Sequence, residues 1–191
     1  MNSVSSSPPK AWVALVTGAR GGIGWERLAS LRAGGRRAAA AGRDADTLAG
    51  VEADAYIAAD TTTPERAASA VTACRAQLGG APSLLAHCVG STLIAPLHRC
   101  TAALLHRSTA PQIREVLRVN LDRPLFVLPA WIEGLSSSGR PDAAVLVSSV
   151  VARVGVVGTV DLKAARGERQ ELTKTSCSRS TPTAATQPGA D

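Results

Sequence analysis

Apolar residues in this chain fall in short runs separated by glycine-rich or polar turns, and two spacings alternate along it. Ala11–Val16 (AWVALV) is a continuous apolar run ending at Thr17-Gly18, the pattern of a strand buried on both faces. Gly24 to Leu31 reads as a helix, with Ile23, Leu28 and Leu31 available for packing and Gly34-Gly35 closing it. Arg37–Ala41 is an Ala-rich second strand ending at Gly42-Arg43-Asp44, and Ala55–Ala59 is a third, ending at Asp60. The next helix carries the fullest set of end signals. Thr63 stands at the N-cap, Pro64 at the first helical position and Glu65 at the positive end, while Gly79 stops it. Ala67, Val71, Cys74 and Leu78 keep helical spacing between these ends. Ser83–Val89 is a fourth strand. Pro111–Leu121 is a helix with Ile113, Val116, Leu117 and Leu121 on one stripe, and Asn120 lies on the same stripe. Ala143–Ser148 is the fifth strand.

Strand and helix thus alternate from Ala11 to Ser148, which predicts an α/β fold: a Rossmann-type doubly wound parallel sheet with ligands at the carboxyl ends of its strands. Three segments follow from the pattern. Residues 1–10 are expected to form a Ser/Pro-rich disordered leader, 11–166 the Rossmann-type domain, and 167–191 a disordered polar tail. That tail holds eight Ser or Thr and almost no large apolar side chain, too little burial to offset the entropy of ordering it. Between the fourth strand and the Pro111 helix, Leu97–Ala102 (LHRCTA) is nearly repeated as Leu105–Ala110 (LHRSTA), a short duplication in a loop.

Composition narrows the function classes. The chain has 191 residues, 45% hydrophobic but only 3% aromatic, so its core must be built from Ala, Val and Leu. A folded chain of this size buries about 70% of its unfolded surface. No apolar run reaches the roughly 18 residues of a membrane-spanning helix. Net charge is +6; Lys10, Lys163 and Lys174 are the only lysines, leaving 18 arginines. Arginine favours bidentate phosphate contacts. Here the arginines are scattered with no aromatic residues interleaved for base stacking, which argues for a solvated surface and a small nucleotide ligand, not a nucleic acid. Cys74, Cys88, Cys100 and Cys177 form no CxxC pair, and no hydrophobic signal segment precedes them. They read as free thiols of a reducing compartment, the cytoplasm, with an organelle left open. His87-Cys88 and His98 with Cys100 are too sparse for a metal site, and none is expected.

The strongest chemical signal is Thr17-Gly18-Ala19-Arg20-Gly21-Gly22-Ile23-Gly24, between a strand and a helix. One glycine allows the tight turn, another admits a pyrophosphate to the backbone N–H groups, and a third lets helix pack on strand. An NAD site carries an acid about 20 residues further on, bonded to the ribose 2′-hydroxyl. Here Gly42 is followed by Arg43, with Arg20 as a second cation, so NADP(H) is favoured over NAD(H); Asp44, next in sequence, partly offsets Arg43.

With these residues in order, the chain resembles the short-chain dehydrogenase/reductase family from about Ala11 to Arg166. TGARGGIG matches that family's TGxxxGxG loop, and Asp60 matches its adenine-contacting acid after the third strand. Asn120 in RVNL is similar to the active-site Asn, and Ser149 in VLVSS to the Ser that polarises the substrate carbonyl. The resemblance implies cofactor contacts from Thr17, Gly18, Arg20, Gly22, Ile23, Gly24, Arg43, Asp60, Gly90 and Arg166, and catalytic roles for Asn120 and Ser149. It further implies interconversion of an alcohol and a carbonyl by a nicotinamide hydride on a small-molecule substrate, in a protein able to form homo-oligomers.

The departures from that family bear on activity. Its NNAG after the fourth strand is here His87-Cys88-Val89-Gly90. The position of its proton-donating Tyr falls on Leu162 and that of its Lys on Arg166; no tyrosine follows Tyr56. Arg166 keeps a charge that can hold a ribose but relays protons poorly. Loss of a positioned acid costs about 10²–10⁴-fold in rate. Water, Ser149 or His87 stand as substitute donors, packing being the preferred role for His87. The family fold adds two strands and a substrate-covering segment after the Tyr helix, whereas here the sequence turns polar at Gly167. The sheet is therefore expected to be incomplete at its carboxyl-terminal side, with the fifth strand an uncovered edge. The expected function is an NADP(H)-dependent oxidoreductase of impaired activity; the alternatives are a non-catalytic dinucleotide-binding protein and a truncated product with no stable fold.

Overall fold

A computed structural model describes residues 12–91, 110–135 and 142–149. Five parallel strands form one sheet: β1 (Val13–Thr17), β2 (Arg37–Gly42), β3 (Ala55–Ala58), β4 (Leu84–His87) and β5 (Ala143–Leu146), in the order β3-β2-β1-β4-β5. Registers are continuous across it, Leu15 lying opposite Ala39 on one side and Leu85 on the other. The chain turns from one direction of winding to the other between β1 and β4. There the loops after the two strands part and leave a crevice at the carboxyl ends.

Helices cover both faces. On one lies α1 (Gly22–Ala33), with Leu28 and Leu31 packed on Ala14, Val16, Ala38 and Ala40. On the other lie α2 (Pro64–Leu78) and α4 (Arg123–Leu135), burying Val71, Cys74, Leu78, Val127 and Trp131 against Leu15, Ala39, Ile57 and Leu85. The Ala-rich strand β2 is buried at Ala38, Ala39, Ala40 and Ala41, so small side chains bring both helical layers close to the sheet. Trp131 also donates its indole N–H to the Pro82 carbonyl at 2.6 Å, which fixes α4 to the entrance of β4.

The ends of α2 are as the sequence predicts. The Thr63 side chain accepts from the Arg66 amide, Pro64 is the first residue, and Gly79 closes the helix. Elsewhere the structure corrects the expectation. β1 begins at Val13 and runs through Thr17, and α1 begins two residues earlier than expected, at Gly22. Ile23 is not a packing residue but 59% exposed in the first turn of that helix. The helix expected over Pro111–Leu121 is α3 (Ala110–Leu117), followed by a π-helical turn at Arg118–Asp122 that places Asn120 in the turn. That turn leads directly into α4, a helix the sequence pattern does not announce. Pro124 and Pro129 break its donor pattern: the Arg123 N–H still bonds to the Arg118 carbonyl of the preceding turn, and Pro124 has no N–H to carry that ladder on. Pro129 forfeits one bond inside the helix, which the buried face of Val127, Leu128 and Trp131 outweighs. Among the described residues β5 is one edge of the sheet and β3 the other, with Val145 on β5 51% exposed on the α1 side. The leader, the duplicated loop, Cys100, Leu162, Arg166, Cys177 and the polar tail lie outside the described residues.

Candidate functional site: an arginine-walled phosphate cleft

The loop between β1 and α1 is shaped by backbone approach. Gly18 has φ +70, and a Cβ there would lie 2.8 Å from the Val89 nitrogen and 2.9 Å from the Cys88 carbonyl carbon. Both its conformation and its surroundings therefore exclude a side chain. Its N–H donates to the Ala41 carbonyl at 3.0 Å, which ties the loop to the end of β2. Gly24 meets the same loop from the helix side: a Cβ on it would collide with the Gly18 carbonyl and lie 2.9 Å from the Ala19 Cα. The helix thus starts in contact with the loop. At its N-cap, Gly21, no side chain caps the free amides, and no acidic residue stands in the first turn. An uncapped helix start carries partial positive charge and open donors, which suits a phosphate.

A cleft of about 170 Å³ opens here, against Gly18, Gly21, Gly42 and Thr61 and three guanidinium side chains, Arg20, Arg43 and Arg123. That volume is below the roughly 300–1,000 Å³ of a full ligand pocket, so it accommodates part of a dinucleotide. Arg20 donates to the Asp46 carbonyl at 3.1 Å. Arg43, 65% exposed, pairs with Asp44 at 3.3 Å. The Thr47 backbone N–H, 2.8 Å from Asp44 Oδ1, holds the Asp44 carboxyl below the usual carboxylate range, with Arg43 adding to the effect. Asp44 also accepts the Thr47 hydroxyl on its carbonyl, so the turn that carries Arg43 is closed on itself.

Asp60 does not line the cleft. Its Oδ1 lies 2.9 Å from Arg123 Nη2, a charge contact without hydrogen-bond alignment, and its Oδ2 takes the Thr62 hydroxyl at 3.2 Å with Arg66 at 3.7 Å. Burial pushes the Arg123 guanidinium below its ordinary pKa, and the Asp60 charge opposes that shift.

On the β4 side the site is held by side chains. Thr17 Oγ1 and His87 Nδ1 are 2.7 Å apart, both groups buried, joining the ends of β1 and β4. Asn120 is fully buried. Its amide donates to the Ser91 and Val116 carbonyls, each at 2.8 Å, and its Oδ1 accepts the Ser91 N–H at 3.3 Å. It therefore fixes the segment that leaves β4 through Gly90. Ser149, half-buried, follows β5, whose continuation is carried beside β4 by the Val147 N–H on the His87 carbonyl at 3.1 Å.

Of the residues singled out in the sequence, Thr17, Gly18, Arg20 and Arg43 line the cleft. Gly22, Ile23 and Gly24 form the helix start behind it; Gly90 follows β4, Ser149 follows β5, and Asn120 in the π-helical turn bonds to Ser91 beside Gly90. Gly21, Thr47, Thr61 and Arg123 line the cleft without having been singled out. Gly21 was readable as the residue before the helix. Arg123 carries no spacing signal, because it reaches the cleft from a helix whose prolines mask it.

A parallel sheet wound in this order, with a glycine loop feeding an uncapped helix, defines a Rossmann-type doubly wound fold. The short chain dehydrogenase family model matches residues 12–186, and the chain belongs to that family. Solved structures with the same fold include the aldohexose dehydrogenase of Thermoplasma acidophilum in its ligand-free form, with 20% identity and a TM-score of 0.75 over 91% of this chain. The apo form of LigD from Sphingobium sp. strain SYK-6 has 23% identity and a TM-score of 0.74 over 86% of this chain. Actinorhodin polyketide ketoreductase with NADPH has 24% identity and a TM-score of 0.71, also over 86%. This chain spans 63%, 70% and 63% of those three chains in turn, about two thirds of their length. No curated protein sequence matches it. Among the described residues, no helix is long and apolar enough to cross a membrane, and no cluster of His, Cys, Asp or Glu could hold a metal ion.

Proposed function

We propose that this chain binds NADP(H) in preference to NAD(H) and is an oxidoreductase for a small carbonyl or alcohol, with turnover lowered by Leu162. The observation that carries the preference is the pair of guanidiniums, Arg20 and Arg43, on the wall of the cleft at the end of β2. The residues fit the cofactor: the uncapped start of α1 offers amides to a pyrophosphate, and the two arginines offer charge-assisted donors to a 2′-phosphate. When bound, the nicotinamide supplies or accepts the hydride. Ser149 donates its hydroxyl proton as a hydrogen bond to the substrate oxygen, and Asn120 holds the Gly90–Ser91 backbone in place. The buried Thr17–His87 contact keeps the ends of β1 and β4 at a fixed spacing. The buried, unbridged thiol of Cys74 supports a cytoplasmic location.

Calorimetric titration with NADPH and NADH tests the preference. NADPH is expected to bind about tenfold or more tightly. Equal affinities would remove the NADP(H) preference, and no binding of either would remove the reading altogether. Turnover is then read from the absorbance of the reduced nicotinamide across a panel of carbonyls. A rate about 10²–10⁴-fold below that of an enzyme with a positioned acid is expected. A second reading, a dinucleotide-binding protein without turnover, is favoured by Leu162, which has no proton to give; binding with no detectable oxidation of NADPH would select it.

A further inference from the structure

Arg123 stands at the start of α4, directly after the π-helical turn, and its side chain is only 11% exposed although it borders the cleft. Its Nη2 is spent on Asp60, at 2.9 Å. Its Nε is buried and has no hydrogen-bond partner. A structural ion pair accounts for the first contact but not for the second, since buried donors are almost always satisfied. Asp60 does not depend on Arg123 alone either, because Thr62 and Arg66 also face its carboxylate. The charges around the guanidinium are Asp60 and Glu115 on one side and Arg118 and Arg43 on the other. With Arg20 on the same wall, cations exceed anions across the opening, which is the field an anionic ligand needs.

We infer that Arg123 is an anion-binding residue of this cleft, offering the part of its guanidinium that borders the opening to a phosphate oxygen of an adenosine phosphate. The inference rests on the NADP(H) reading above. It adds a contact from the start of α4 to those offered by the loop and by Arg43, and it makes Asp60 the group that holds Arg123 in place. The phosphate is either the one on the ribose 2′ position or one of the pyrophosphate pair, and both present the same chemistry to the guanidinium.

Arg123→Met keeps the stem and removes the head. Calorimetry of the full chain with 2′,5′-ADP, with 5′-ADP and, by competition, with adenosine reads the effect. The variant is expected to lose about tenfold in affinity for a phosphate-bearing ligand and to hold adenosine unchanged. A loss confined to 2′,5′-ADP identifies the ribose phosphate, and an equal loss for 5′-ADP identifies the pyrophosphate. Affinities within twofold of wild type for both overturn the inference, and so does an equal loss for adenosine, which would mark a general disturbance of the site. If Arg123→Met fails to fold because Asp60 is left buried and uncompensated, the double variant Asp60→Asn/Arg123→Met is read by the same titrations against Asp60→Asn alone. Failure of the wild type to bind either nucleotide removes the NADP(H) reading instead, so the two failures are told apart.

Discussion

The loop after β1 and the segment after β4 meet at one crevice but are built from opposite materials. Around Gly18, Gly21 and Gly24 the phosphate cleft is made by the absence of side chains, and backbone touches backbone within van der Waals distance. Two of its three arginines, Arg20 and Arg43, stand at the surface in contacts above 3 Å. Across the crevice, His87 and Asn120 are fully buried, each held by hydrogen bonds of 2.7–2.8 Å. The first half should therefore fail when a side chain is added at Gly18 or Gly24, while tolerating changes of charge. The second should fail when a particular side chain is removed. Under the proposed function, binding and turnover would fall to separable parts of the molecule, so that one could persist where the other is weakened.

The sharpest way to break the first half is Gly24→Val. The added carbons would have to occupy the space of the Gly18 carbonyl and the Ala19 backbone, so α1 must move away from the loop. A cost of about 3 kcal/mol is expected, the upper end of overpacking, because the obstacle is backbone and cannot rotate aside. Urea unfolding reads that cost, and NADPH titration of the folded fraction should show no binding. Wild-type affinity in this variant would mean that the close approach of helix and loop does not shape the site.

The second half is tested by removing a partner. His87→Ala leaves the Thr17 hydroxyl buried without its 2.7 Å contact, an expected loss of about 1–3 kcal/mol in unfolding free energy. Thr17→Val removes the contact from the other side. A double-mutant cycle over the two positions should return a coupling of about 1 kcal/mol. No coupling would show that the imidazole fills space and that β1 and β4 are joined by the ladder alone.

These two halves were not equally legible in the sequence. The glycine loop, the cap of α2 and the five strands depend on local chemistry: a hydroxyl before Pro64, a glycine at a turn, an apolar run between breakers. Such signals act within a few residues and survive translation into structure. What escaped is what depends on distance. α4 is hidden by Pro124 and Pro129, whose local cost is offset by a buried face that exists only once α2 and the sheet are in place. Arg123 reaches the cleft only because the π-helical turn at Arg118–Asp122 resets the direction of the helix, and no periodicity announces that extra residue. Ile23 was misread for the converse reason: the glycine start of α1 sits at the surface, where an apolar side chain has nothing to pack on.

Away from both halves, Trp131→Phe should separate stability from binding. The indole N–H donates to the Pro82 carbonyl at 2.6 Å in a buried setting, and phenylalanine leaves that carbonyl without its donor while keeping much of the apolar contact. About 1–2 kcal/mol should be lost in urea unfolding, with NADPH affinity unchanged in the folded protein. A matching loss of affinity would show that α4 transmits strain to the cleft, through Arg123 at its start.

The smallest change is expected from Asp44→Asn, and it asks whether charge alone tunes the first half. Asparagine can still accept the Thr47 N–H, so the turn keeps its shape while Arg43 loses its acidic neighbour. Affinity for NADPH at neutral pH should rise about two- to fivefold, the range of an exposed ion pair released to another anion. The same substitution has a pH signature in stability. Because the folded Asp44 carboxyl lies below its ordinary value of 3.8, its charge stabilises the fold fully above that pH and is lost as pH falls through the lower folded value. The thermal midpoints of wild type and variant should therefore differ slightly at neutral pH and converge on acidification below 3.8. A fall in NADPH affinity instead of a rise would mean that Asp44 holds Arg43 in its binding position and does not compete with the phosphate for it.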